Sequence, residues 1–472
     1  MAQRHKTRRA RLVAGVLALG AVPALLAGPV ALAQPAPAER VIAFSPDQVR
    51  QMGLQAMQLG RPDIAARMAT ALLEQDPTDS YAHFLMANGL MKLNRIKEAE
   101  AAAKQSYRYA ETPEQTYQSA HLAADLAFRR GALTTSQWWL RKSAEAAPDE
   151  ARKNTSVAQF RAVKAHNPWR VALAFSARPS DNVNNGSSGQ YNIIDGLPLV
   201  GILSQDAQAV KGVVVDTAVA LGYRISQGKS HETTLGLEVF TRRVHLGTAE
   251  KTRLGGDPGF GSGRVAVSLQ QDWRPENSKH QFSLGGNAGR QTYQGGGDYS
   301  FLGLHFGHRM PLASDMLVNS GLNIEQRSGQ GGKRGDRSVS LRSTLLYQLG
   351  NQDLVAASAL TGRFDTANMG RSSTMVGVQL DYTLAESIGP VSLSATLGVQ
   401  KSQYNGYSLI GIAVPGGRND TSGFAEMQLQ FNDTSYAGFA PVLRLRHQRT
   451  QSNVSRFEAQ ESSVVIGLAS KF

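Results

Sequence analysis

The 472-residue chain contains no cysteine. That excludes disulfides, thiolate catalysis and cysteine-ligated metals, and with them the lipid-anchored form of export that needs a cysteine at the cleavage site. Long apolar runs are scarce too. A hydrophobic content of 41% is too low for a bundle of membrane-spanning helices, and a single stretch, at the N-terminus, has the make-up of one. No GxSxG elbow or other recognisable nucleophile motif occurs. The nucleophile, base and orienting group of a hydrolase are therefore not legible, and the chain is expected not to be an enzyme.

Residues 1–33 have a basic start (Arg4, Lys6, Arg8, Arg9, Arg11), an apolar middle from Leu12 to Leu26, and small residues at Ala31-Leu32-Ala33. This is the layout of a secretory signal peptide, with cleavage expected after Ala33. Arg11 suits a twin-arginine signal poorly, so the general secretion route is expected. Loss of the five basic residues lowers the net charge from +13 to +8. The rest are scattered, and an exported chain rarely meets nucleic acid. Anionic lipid headgroups or an acidic client are the expected partners.

What is present falls into two periodicities. After a linker at 34–45, residues 46–165 are rich in Ala, Leu, Gln, Lys and Glu, which favour helix. "GRPDIAARMA" from Gly60, "NRIKEAEAAA" from Asn94 and "GALTTSQWWL" from Gly131 each place a turn residue before a helix, at spacings of 34 and 37 residues. This resembles the tetratricopeptide repeat, in which small residues let paired helices approach closely. Three units are expected, at 46–79, 80–113 and 114–148, with 150–165 as a capping helix. Trp138 and Trp139 read as packing between helices. By resemblance, the inner helices form a concave client-binding face presenting Asp47, Arg50, Leu54, Met57, Tyr81, Phe84, Asn88, Met91, Gln118, His121, Asp125 and Phe128.

From residue 166 to 472 the period is two. In "HETTLGLEVFTR", Leu235, Leu237 and Val239 alternate with Thr234, Gly236 and Glu238, and "PVSLSATLGVQ" alternates in the same way. A soluble sandwich would also alternate. Three features favour a transmembrane antiparallel β-barrel of about fourteen strands. Segments of nine to fourteen residues begin near 169, 212, 231, 261, 280, 299, 315, 337, 353, 373, 390, 422, 437 and 459. Connections alternate between long (178–211, 244–260, 404–421) and short ("SQGKS", "PLAS", "GNQD"), as surface loops and periplasmic turns do. The chain ends "SSVVIGLASKF", similar to the terminal signal of outer-membrane barrels, although Ser470 stands where an apolar residue is usual. The fold class is thus α + β multidomain. Expected lumen residues are Glu232, Glu238, Arg242, Asn323, Glu325, Arg342, Asp381, Arg444 and Arg446, whose mixed signs suit internal salt bridges at least as well as a selective pore.

Other motifs carry less chemistry. His305 and His308 in "HFGH" are three apart on a strand and point to opposite faces, so no metal is expected there, and no cofactor elsewhere. His447 neighbours lumen-facing Arg446 and is expected at lipid or the rim. "QGGKRG" lacks phosphate-loop spacing and reads as a flexible basic loop.

A signal peptide, a short repeat domain, then "NPWRVALAFSARPSDNVNN" and fourteen strands resembles the surface lipoprotein assembly modifier (Slam) family, in which a Pro-Trp strand start precedes an Asp-Asn-Val-Asn type run, here Asp181 to Asn184. The resemblance covers nearly all the mature chain in architecture and about twenty residues in motif. It implies a translocon that moves lipoproteins, or soluble haem- or metal-acquisition proteins, from periplasm to cell surface, with repeats engaging the client and the barrel conducting or folding it. Outer-membrane lipids, barrel-assembly machinery and periplasmic chaperones are the partners it implies. The competing readings are an exopolysaccharide export porin, which usually has more repeats and a lumen of one charge sign, and a structural barrel with tethering repeats.

Overall fold

The computed structural model describes residues 44–195, 200–329, 335–366, 369–409 and 411–470. The signal peptide, most of the linker, most of "QGGKRG" and the terminal Phe472 lie outside the described residues. The chain divides into two compact units, Met1–His166 and Asn167–Phe472.

The first unit is an array of seven helices: α1 (Pro46–Gln58), α2 (Pro62–Gln75), α3 (Ser80–Lys92), α4 (Ile96–Arg108), α5 (Pro113–Arg129), α6 (Leu133–Ala146) and α7 (Glu150–His166). The sequence writes their starts. Ser45 with Gln48, and Thr112 with Gln115, form capping boxes ahead of Pro46 and Pro113, and the Asp79 carboxylate accepts from the Ala82 N–H. Pro113 therefore opens the third helix pair and does not close the second.

The turn between the helices of each pair is one motif used three times. Gly60, Asn94 and Gly131 have φ of 70°, 60° and 75°. The next residue's N–H reaches back five positions: Arg61 to the Ala56 carbonyl, Arg95 to Leu90 and Ala132 to Ala127, at 2.8–2.9 Å. Behind these turns the helices meet on small residues. Ala65, Ala69, Ala82, Ala99, Ala103, Ala120, Ala123 and Ala127 are completely buried. The buried polar groups between helices pair with one another, Ser106 Oγ lying 2.6 Å from Ser119 Oγ and Ser143 Oγ 2.9 Å from Ser156 Oγ. Trp139 is buried edge-on against Tyr107, as its packing role requires, while Trp138 is more exposed.

The second unit is a closed antiparallel barrel of fourteen strands, each paired to its neighbours in sequence: β1 (Trp169–Ser180), β2 (Gly212–Gln227), β3 (His231–His245), β4 (Ser262–Trp273), β5 (Gln281–Tyr293), β6 (Tyr299–Pro311), β7 (Met316–Gly329), β8 (Asp336–Gln348), β9 (Leu354–Asp365), β10 (Ser373–Thr383), β11 (Val391–Tyr404), β12 (Arg418–Phe431), β13 (Phe439–Ser452) and β14 (Ala459–Ser470). β14 closes on β1 through Ser176↔Gly467, Ala177↔Ile466 and Ser180↔Ser463. The outward face is the apolar one. Val171, Leu173, Phe175, Leu235, Val267, Leu302, Val378, Leu397 and Ile466 are all exposed, which in a closed barrel means facing lipid. Backbone donors and acceptors are satisfied strand to strand, so that face can enter hydrocarbon.

Two departures from the sequence reading concern loops. β12 begins at Arg418, earlier than the expected 422, because Arg418 packs under Tyr404 and Phe457 and pairs with Asp420. The long connections also hold structure of their own: hairpins at 191–193/200–202 and 408–409/412–413, and helix α8 (Thr248–Leu254).

Candidate functional site

Two concave surfaces are built by these elements. In the helical unit, α3, α5, α6 and α7 enclose a groove of about 590 Å³ lined by Phe84, Tyr117, His121, Phe128, Leu140 and Val163 among others. Its walls are apolar with a few polar groups. Burial pushes the His121 imidazole below its ordinary value, against the pull of the Asp125 carboxylate, so the ring is held neutral. Asp125 is itself paired with Arg129 at 2.8 Å.

Of the twelve residues proposed for a client face, the groove gathers five: Phe84, Gln118, His121, Asp125 and Phe128. The others lie elsewhere. Arg50 bridges Asp47 and Asp79 beside the Tyr81 ring. Met57 and Tyr81 pack on the core of Ala56, Ala65, Ala69 and Leu85. Asn88 donates to the Phe84 carbonyl of its own helix, Leu54 is exposed, and Met91 is half-buried. Sequence reasoning missed Tyr117, Gln159, Val163 and His166. The last three sit at i, i+4 and i+7 on α7, a signal that was available once the capping helix is read as a groove wall.

In the barrel, strand register decides which side chains point inward. The nine expected lumen residues all lie on the face opposite the exposed aliphatics. Most are locked in place. Glu232 pairs with Arg170 and Arg224, Arg242 with Asp216 in a bidentate bridge, and Glu325 with both Arg264 and Arg327. Arg446 pairs with Glu426 over the Phe424 ring, Asp381 accepts from Gln379 and Thr396, and Asn323 meets His305 at 2.8 Å. Arg342 instead lines a basin of about 890 Å³ near the short turns, with Arg309, His305 and Asn319. Arg444 keeps a buried Nε without a hydrogen-bond partner, and Glu238 has no ion pair among the described residues.

The histidines divide as their spacing requires. His305 faces inward, while His308 faces outward and stacks on His280 and Phe282. The close pair thus joins the turn before β5 to β6, with His280 Nδ1 2.9 Å from His308 Nε2, which no linear motif reveals. No group of three or more His, Asp or Glu able to hold a metal occurs among the described residues. His447 is exposed on the outer face and bonded to Ser462 Oγ.

The run Asp181 to Asn184 is a clasp. The Asn182 side chain donates to the carbonyls of Gly186 and Gln460, and accepts from the Gly186 N–H. Asn184 donates to Asp206 and Gln208 and accepts from Val210, tying the two ends of the first long loop. Asp181 accepts from the Ser462 N–H of β14, beside an Arg178–Glu461 ion pair. The first loop is also joined to two others by an apolar cluster of Ile194, Val414 and Val454.

A helical array of tetratricopeptide type, followed by a closed fourteen-stranded barrel with an apolar outer face, defines a protein of the outer-membrane barrel class. Residues 169–472 match the family model described as surface lipoprotein assembly modifier, and the chain belongs to that family. No curated protein matches it. Solved structures similar to it include the loop-deleted OmpT of Vibrio cholerae (9% identity, 64% of this chain and 99% of that one, TM-score 0.34). Others are a BenF-like porin from Pseudomonas fluorescens (10%, 64% and 99%, 0.34) and the type III secretion translocator chaperone SycD of Yersinia enterocolitica (16%, 26% and 88%, 0.24).

Proposed function

We propose that the protein delivers lipoproteins, or soluble haem- or metal-acquisition proteins, from the periplasm to the cell surface. The observation that carries this reading is the family match across the whole barrel. In this reading the chain is exported by the general secretion route and cleaved after Ala33. Residues 34–45 are a linker, 46–165 a periplasmic client-engaging domain and 166–472 the outer-membrane barrel. The apolar groove around Phe84, His121 and Phe128 supports a client-binding role, because a concave surface with few polar groups accepts apolar side chains of a polypeptide. The barrel conducts or folds the client with no chemical step, so folding of the client outside biases the direction of travel. Barrel-assembly machinery and periplasmic chaperones would act as partners.

The test is deletion of the gene, followed by external protease on intact cells. A surface lipoprotein of the same cell, taken as the client, should become protected while its total amount is unchanged. Equal cleavage in the deletion strain would sink the reading for that client. An exopolysaccharide porin would instead show lost polymer export with lipoprotein exposure intact.

A further inference from the structure

The two rims of the barrel's outer face differ in chemistry, and strand register makes the difference readable. At the end that carries the short turns, the outward positions include Trp169, Tyr223, Trp273, Phe282, Tyr347, Tyr382 and Phe431. Trp169 and Tyr223 have ring centroids 4.8 Å apart, and Trp273 stacks on Phe282 at 5.6 Å. This is an interfacial aromatic girdle. No Lys or Arg shares it.

At the loop end the last two outward positions of each strand hold no Phe, Tyr or Trp. They hold six Lys or Arg residues instead: Arg243, Arg290, Arg337, Arg363, Lys401 and Arg449. Asp365 is the only outward acid there, and it is chelated by Arg363, while Arg290 reaches Asp298. Arg243, Arg337, Lys401 and Arg449 are exposed and have no ion pair among the described residues. Lys401 and Arg449 stand two strands apart, roughly 10 Å across the sheet. Lumen cations behave differently: Arg178, Arg242, Arg264, Arg327, Arg418 and Arg446 all have carboxylate partners. Most lumen cations are thus neutralised internally, Arg309, Arg342 and Arg444 having no ion pair among the described residues, whereas Arg243, Arg337, Lys401 and Arg449 stand open on one lipid-facing rim.

A bare cation at a hydrocarbon boundary is costly unless its head meets water or a counter-charge at headgroup level. We propose that this rim, centred on Arg337, Lys401 and Arg449 with Arg243 on a neighbouring arc, is a docking surface for phosphate-bearing lipid headgroups of the leaflet on the loop side. The occupant is an anionic lipid, because the cations stand on the outward face just beyond the exposed apolar band that includes Leu341, Val378, Leu397 and Val399, where a headgroup layer lies. Aromatics anchor the turn end in a zwitterionic interface, and cations anchor the loop end in an anionic one. The surface is separate from client handling and stands or falls without it.

The test uses full-length protein in detergent. Wild type and the variant carrying Arg243→Gln, Arg337→Gln, Lys401→Gln and Arg449→Gln are incubated with micelles doped with lipopolysaccharide, with a phosphate-free glycolipid, or with inorganic phosphate alone. Retained lipid is measured on the recovered protein, and slow gel mobility before boiling checks that the barrel is folded. Wild type should retain lipopolysaccharide and neither of the other probes, and the fourfold variant should retain on the order of several hundredfold less. Each removed charge should weaken retention about fivefold. Should the fourfold variant fail to fold, Lys401→Gln alone serves, with that fivefold loss expected. Equal retention by folded variant and wild type would overturn the proposal. So would equal uptake of the phosphate-free glycolipid, occupancy by inorganic phosphate in place of lipid, or a change in oligomeric size with lipid retention unaltered.

Discussion

At the scale of single residues, the barrel's polar side chains act mostly as fasteners. Arg418 lies 3.3 Å from the Phe457 ring centroid and 4.0 Å from that of Tyr404, and it chelates buried Asp420. Arg418→Met keeps most of the stacking volume but strands the carboxylate, so a loss of roughly 3–5 kcal/mol in local stability is expected. Faster proteolysis of the loops at 405–417 and 453–458 would register it, and Arg418→Met combined with Asp420→Asn should recover much of the loss. Asn182→Ala and Asn184→Ala each remove several loop-closing bonds, and roughly 1–3 kcal/mol is expected for each buried group left unsatisfied. Limited proteolysis within 185–210 should accelerate while the folded barrel keeps its gel mobility. His121 supplies a pH signature. Its folded-state value lies below the ordinary 6.5, so the unfolded chain binds the proton first and stability of the helical unit falls as pH drops below about 6.5. Thermal melts followed by helical circular dichroism between pH 7.5 and 5 should show that fall, and His121→Gln should flatten it.

Elements were legible to the degree that their rules are local. Helix starts follow from Ser45, Asp79 and Thr112, and the repeat is anchored by Gly60, Asn94 and Gly131, whose shared positive φ explains why an asparagine can stand where two glycines do. Strand positions follow from alternation because a residue's face depends on parity alone. What escaped was non-local. Arg418 to Asp420 read as polar loop, since nothing near them in sequence announces Phe457 across the mouth. The groove wall on α7 was hidden because a capping helix reads as an ending, and the His280–His308 pair because His280 stands in the turn before β5 and His308 on β6. Close helix approach gives an element-scale prediction. A Cβ on Gly89 would lie 3.1 Å from the Pro62 carbonyl oxygen and 3.3 Å from the Ala66 nitrogen, contacts with backbone that cannot rotate away. Gly89→Val should part α2 from α3 and cost roughly 1–3 kcal/mol, visible as a lowered melting midpoint of the helical signal.

For the molecule as a whole, the division at His166 predicts two transitions. Helical circular dichroism should melt at a temperature where the barrel still migrates as a folded band, because the units have separate cores. Composition and period made this division readable, since helix formers and a 3.6-residue period give way to alternation at Asn167-Pro168. The groove of the helical unit was less readable, because a concave apolar surface is defined by several helices at once.

The barrel's pairing pattern also sets an order of events. Thirteen of its fourteen strand junctions join neighbours in sequence, and the last, β1 with β14, brings Ala177 to Ile466. Local hairpins can zip early, whereas this junction must wait for nearly the whole unit to be in place, so it is the slow and final step of assembly. A cysteine pair at Ala177 and Ile466 should therefore cross-link last during refolding, after strand content has reached its plateau. Asp181 and Asn182 bond to Ser462 and Gln460 only across that junction. The Asn-rich run that marks the chain in sequence can complete its bonds only when the ring has closed, which makes it a built-in indicator that assembly is finished.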